Sequence, residues 1–105
     1  MQYLVEENCL TIFLPQEVDH HNADEIRKES DHIIAKRHIK YVIFDFEKTS
    51  FMDSSGIGVL MGRYRQIHSL GGEIWAIHAN NRMKKILHMS GVTKIIQLYE
   101  ESEAL

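Results

Sequence analysis

The stretch YVIFDFEKTSFMDSSGIGVLMGRY, residues 41–64, changes character at its middle, and that change organises the rest of the chain. Tyr41 to Phe46 are almost continuously apolar and aromatic, which predicts a central strand covered on both faces. After Ser54 the residues Ile57, Leu60, Met61, Tyr64 and Ile67 recur at helical intervals, the stripe of a helix facing a core. Gly71-Gly72 then offers the left-handed residue that commonly ends a helix. Between strand and helix stand an acid, two hydroxyls and a glycine, Asp53-Ser54-Ser55-Gly56.

Upstream, QYLVEE and CLTIFLP are strand-like runs separated by a polar turn at Glu6 to Asn8, an opening antiparallel pair that Pro15 ends. From Asp19, the apolar residues Ala23, Ile26, Ile33 and Ile34 mark an amphipathic helix to about His38, with Asp19 or Asn22 able to cap it. Downstream, EIWAIH reads as another buried strand. Asn80 or Asn81 can cap a third helix carrying Met83, Ile86 and Leu87, which stops at Gly91 before a last strand, KIIQLY. The acidic tail EESEAL is expected to form a short helix or to fray. The order β-β-α-β-α-β-α-β predicts an α/β fold in one domain, residues 1–105, with a largely parallel sheet, right-handed crossovers and helices over the sheet.

Composition narrows the function. The 105 residues are 44% hydrophobic and 26% charged, ordinary for a globular chain, with a net charge of −3 that disfavours a phosphate-rich nucleic-acid partner. Arg63, Arg65, Arg82, Lys84 and Lys85 fall at helix-like spacing and read as a solvated face. No run of 18 apolar residues and no basic leader occurs, so the expected location is the cytoplasm, away from membranes. Cys9, the single cysteine, excludes an internal disulfide and reads as a small packing residue. The seven histidines form no close ligand motif with cysteine or carboxylates, so neither metal nor cofactor is expected.

Four chemistries compete for Asp53-Ser54-Ser55-Gly56. A helix cap needs Asp53 or Ser54, but gains nothing from a second hydroxyl followed by Gly56 and Gly58. A dinucleotide loop would use the glycines at 56, 58 and 62, yet EIWAIH ends in His78 where an acid is wanted; Gly58 and Gly62 are instead expected to permit close packing on the sheet. A small serine hydrolase would need a base that the local sequence does not supply. The fourth chemistry treats a hydroxyl at an exposed helix start as the substrate of another protein, since the amides and dipole there tolerate an added phosphate.

FMDSSGIGVLMGRYRQI together with GGEIWAIHANNRMKKILHMSGVTKII, and EVDHHNADEI before the first helix, resembles the STAS domain of bacterial anti-sigma factor antagonists, most of all those serving sporulation. The resemblance spans nearly the whole chain. It implies a STAS fold, a small mixed sheet of four to five strands covered by helices. It implies phosphorylation on the first serine of D-S-S-G, here Ser54, by an anti-sigma factor that is also a serine kinase, with a serine phosphatase restoring the unmodified form. It also implies that Asp19 lies on the docking surface. The partner-binding residues are then expected to be Asp19 and His20 from the loop, with Asp53, Ser54, Ser55, Gly56, Ile57 and Gly58; core packing competes for Ile57, and no catalytic residue is expected. A STAS antagonist of a general-stress sigma pathway would share Ser54 and differ in partner.

Overall fold

The computed structural model describes residues 2–100; the acidic tail at 101–105 lies outside the described residues. The elements run β1 (Gln2–Glu6), β2 (Cys9–Phe13), β3 (Glu17–Val18), α1 (Ala23–Lys36), β4 (Tyr41–Asp45), β5 (Phe51–Met52), α2 (Ser54–His68), β6 (Glu73–Ile77), α3 (Asn81–Ser90), a 3-10 turn at Val92–Lys94, and β7 (Gln97–Leu98). Five strands form one sheet in the order β1-β2-β4-β6-β7. β1 is antiparallel to β2, and β2, β4, β6 and β7 are parallel to one another, as helical crossovers demand.

That strand order decides where the core lies. From β2 to β4 to β6 to β7 the chain always steps in the same direction, and right-handed crossovers stepping one way place their helices on one face. Leu10, Ile12, Val42, Phe44, Ile74 and Ala76 point to that face and are at most 1% exposed. They meet Ile26 and Ile34 of α1, Leu60 and Ile67 of α2, and Met83 and Leu87 of α3 in a single apolar cluster. Side chains alternate across a strand, so the cross-strand row Leu4, Thr11, Ile43 and Trp75 occupies the opposite face. Thr11, Ile43 and Trp75 are only half-buried there and Leu4 is exposed. The central strand is therefore covered on one face, not on both as its composition suggests.

Other expectations are corrected as well. Two short strands were not anticipated: Glu17–Val18 and Phe51–Met52 pair in parallel as a separate small sheet beside the start of α2. The last strand does not span KIIQLY. Gly91 adopts φ 82° and ends α3, the 3-10 turn buries Val92, and Ile96 also enters the core, leaving Gln97–Leu98 to pair with Trp75–Ala76. Arg63 does not belong to a solvated face. It lies on the stripe of α2 that meets α1 and is 4% exposed, donating to the Arg27 carbonyl (3.0 Å) and the Ser30 hydroxyl (2.9 Å) and pairing with Asp31 (2.8 Å). Burial pulls its guanidinium below its ordinary value while Asp31 opposes that shift.

The glycines of α2 also divide differently from expectation. A Cβ on Gly58 or Gly62 would meet nothing within 4 Å, so neither allows close packing on the sheet. Gly56 does: a Cβ there would stand 2.5 Å from Met52 Cγ and 2.7 Å from the Val18 carbonyl oxygen. The small sheet thus presses directly on the first turn of α2.

Candidate functional site

Asp53 leaves β5 in extended conformation and becomes the cap of α2. Its Oδ1 accepts the Ser55 N–H at 2.8 Å and the Gly56 N–H at 3.2 Å, satisfying two amides that the helix leaves without partners. Its Oδ2 accepts the His20 N–H at 3.3 Å and lies 3.7 Å from His20 Nδ1. Desolvation pushes the carboxyl upward, but the hydrogen bonds from Gly56, Ser55 and His20 outweigh it and hold Asp53 below the usual carboxylate range. One carboxylate therefore joins the loop before α1 to the start of α2.

The loop is held by its own bonds. Asp19 Oδ1 accepts the His21 N–H at 2.9 Å, and the Asp19 carbonyl accepts from Ala23 at 2.8 Å. Asn22 Oδ1 accepts from the Asp19 N–H at 3.0 Å while its Nδ2 donates to the Glu17 carbonyl at 2.7 Å. Neither side chain caps α1, contrary to expectation, because both bonds of Asn22 turn backward to the loop. His20 is exposed and Asp19 half-buried. The Asp53 N–H donates to the Val18 carbonyl at 3.2 Å, completing the bracing between the two segments.

On this frame Ser54 is exposed at the first position of α2, Ser55 and Ile57 are half-buried, Gly56 is buried and Gly58 is exposed. Ile57 packs against the core. An open groove of about 390 Å³ runs between the starts of the two helices, lined by His20, Asp24, Arg27, Ser55, Gly58 and Val59. Asp19, His20 and residues 53–58 thus come together across more than thirty positions of sequence, joined by the His20 bond to Asp53. Sequence reading missed Arg27, whose exposed position within a charged run gives no sign that it borders this groove. The hydrogen bonds from Arg27 and then Lys28 hold the Asp24 carboxyl below its ordinary value.

Among the described residues, neither the Ser54 nor the Ser55 hydroxyl has a histidine hydrogen-bond partner, and His20 turns to Asp53 instead. No described helix is long and apolar enough to cross a membrane. One group among the described residues, Asp45, Glu47 and His78, has the spacing of metal ligands, and it stands at the ends of β4 and β6.

The fold has counterparts among known proteins. The STAS domain family profile matches residues 1–105. A Paenibacillus polymyxa protein named anti-sigma F factor antagonist is 37% identical over 91 residues, which make up 87% of this chain and 78% of that relative. A Listeria monocytogenes anti-sigma-B factor antagonist is 25% identical over 89 residues, 85% of this chain and 77% of its own. Among solved structures, the Bacillus cell fate determinant SpoIIAA in the phosphorylated form superposes with a TM-score of 0.74 at 32% identity, covering 98% of this chain and 94% of its own. The unphosphorylated form of the anti-sigma factor antagonist SpoIIAA gives a TM-score of 0.77 at 28% identity, over 97% and 89% of the two chains. With the family profile, the sheet topology and these relatives in agreement, the chain belongs to the STAS family, among its anti-sigma factor antagonists, which are regulatory binding proteins.

Proposed function

We propose that this chain is a partner switch in the cytoplasm. The unmodified form docks an anti-sigma factor that is itself a serine kinase, through Asp19, His20 and residues 53–58, and so frees the sigma factor for sporulation transcription. Transfer of the ATP γ-phosphoryl group to the Ser54 hydroxyl ends that association, and a serine phosphatase restores it by hydrolysis. The observation that carries this reading is the exposed Ser54 hydroxyl at the first turn of α2, beside a carboxylate that already occupies the nearest amides.

The physics follows from that placement. A phosphate adds about −1.5 to −2 charge. Because Asp53 holds the Ser55 and Gly56 amides, the new anion gains no cap of its own and faces outward toward the partner. Like-charge crowding at an interface costs several kcal/mol, and each ~1.4 kcal/mol is about tenfold in affinity. No rearrangement of the fold is needed, since the helix dipole tolerates the charge.

The test is incubation with the candidate kinase and ATP, followed by phosphosite mapping and binding measurements. Phosphate on Ser54, absent in Ser54→Ala, with Ser54→Ala still bound, is the expected result. Phosphate on Ser55 alone, or unchanged affinity after full modification, overturns the reading. The anti-sigma-B relatives favour a second reading, a general-stress pathway with the same acceptor, and binding to the anti-sigma protein of that pathway rather than to the sporulation kinase would select it.

A further inference from the structure

The geometry points to a divalent transition-metal site formed by Asp45, Glu47 and His78, independent of the Ser54 surface. One ligand atom from each of these residues lies within 4.8 Å of the others. Ligands around a tetrahedral first-row ion at ~2.0–2.2 Å lie about 3.3–3.6 Å apart, so the widest gap among the three atoms closes by up to roughly 1.5 Å, a movement that falls to the exposed Glu47 side chain.

Asp45 is the centre of the group. The strand register places it in the row Phe13, Asp45 and Ile77, between two apolar neighbours, and its side chain is only 7% exposed. A carboxylate so enclosed is held by hydrogen bonds, a charged partner or a cation. Among the described residues no Lys or Arg ion-pairs with it; His78 Nδ1 lies 3.0 Å from its Oδ1, and the Glu47 N–H donates to the same oxygen at 2.9 Å.

The backbone supports the arrangement. His78 adopts φ 60°, a left-handed conformation that costs a non-glycine residue energy, and its Nδ1 stands 3.0 Å from Asp45 Oδ1. The Phe46 N–H bonds the Ile77 carbonyl at 2.9 Å and the Leu14 N–H bonds the Asp45 carbonyl at 3.1 Å, which fixes the strand ends on which two of the ligands stand. Glu47, exposed on the adjoining turn, supplies an arm able to close on an ion.

An imidazole with two carboxylates suits Zn²⁺ and its first-row neighbours better than Mg²⁺, with water completing the coordination. The bound ion fastens two connections together. One runs from Asp45 toward β5 and α2, and the other leads from β6 into α3; the Asn80 side chain already bridges them at the Thr49 carbonyl, 3.4 Å away.

Titration of the metal-free chain with Zn²⁺ by calorimetry, with Mg²⁺ in parallel, tests the site. The expected result is saturable binding of one Zn²⁺ that is weakened at least tenfold in both Glu47→Gln and His78→Gln. The double variant His20→Gln/His21→Gln retains it, and Mg²⁺ binds far more weakly. Thermal melting of each variant confirms that it is folded. Absent saturable Zn²⁺ binding, binding indifferent to Glu47→Gln and His78→Gln, or loss in the His20/His21 variant instead, overturns the proposal.

Discussion

α2 and α3 begin alike and end up with different capacities. Each follows a strand, and each is capped by an extended residue whose side-chain oxygen accepts amides of the first turn. Asn80 accepts one, from Met83 at 2.8 Å, and is neutral. Asp53 accepts two, is charged, and reaches sideways to His20. After Asn80 come Asn81, Arg82 and the buried Met83; after Asp53 come Ser54, Ser55 and Gly56, with the glycine seated against the small sheet. Capping alone therefore does not distinguish the two helices. The difference lies in an exposed hydroxyl next to a fixed charge and in bracing to a second loop.

The largest test of this contrast is charge insertion. Ser54→Glu is expected to weaken binding to the anti-sigma partner by roughly 10- to 100-fold, at ~1.4 kcal/mol per decade, whereas Asn81→Glu leaves it within about twofold. Equal effects in a titration of the two variants would erase the distinction between the helices.

The glycines come next. Gly56→Ala drives a methyl group into Met52 and the Val18 carbonyl and is expected to cost about 1–3 kcal/mol by urea denaturation. Gly58→Ala enters open space and is expected to stabilise by up to about 1 kcal/mol through helix propensity. If both substitutions move stability the same way, the seating of Gly56 on the small sheet is not the constraint described.

The caps give the smallest and most diagnostic effect. Asn80→Ala is expected to cost about 1 kcal/mol at any pH between 3 and 8. Asp53→Ala lowers stability at neutral pH, but because the folded carboxyl sits below its ordinary value, its contribution is present above pH about 4 and is lost as pH falls through the folded value. Urea midpoints of wild type and Asp53→Ala should converge in acid, while those of wild type and Asn80→Ala stay apart.

Much of this contrast is legible in the residues. Asp53 before a hydrophobic stripe, Asn80 before another and Gly91 after it announce their caps through ordinary local chemistry. What stays hidden depends on partners distant in sequence. β3 and β5 have two residues each, too few to show a period. Tyr41 to Phe46 is apolar at every position but Asp45, which conceals that Val42 and Phe44 face the core while Ile43 does not. Arg63 shares the stripe of Leu60 and Ile67, a spacing that marks it as inward-facing once charge is set aside. Asp45 and His78 meet across neighbouring strands, a relation that sequence spacing does not carry.

The two-stranded sheet of Glu17–Val18 and Phe51–Met52 has a consequence for signalling. Like a hinge pin through both leaves, it ties the segment before α1 to the segment before α2. Under the proposed function, a phosphate on Ser54 would be read where it is written, by whatever touches it, and the cycle of writing and erasing would not require the carrier to refold.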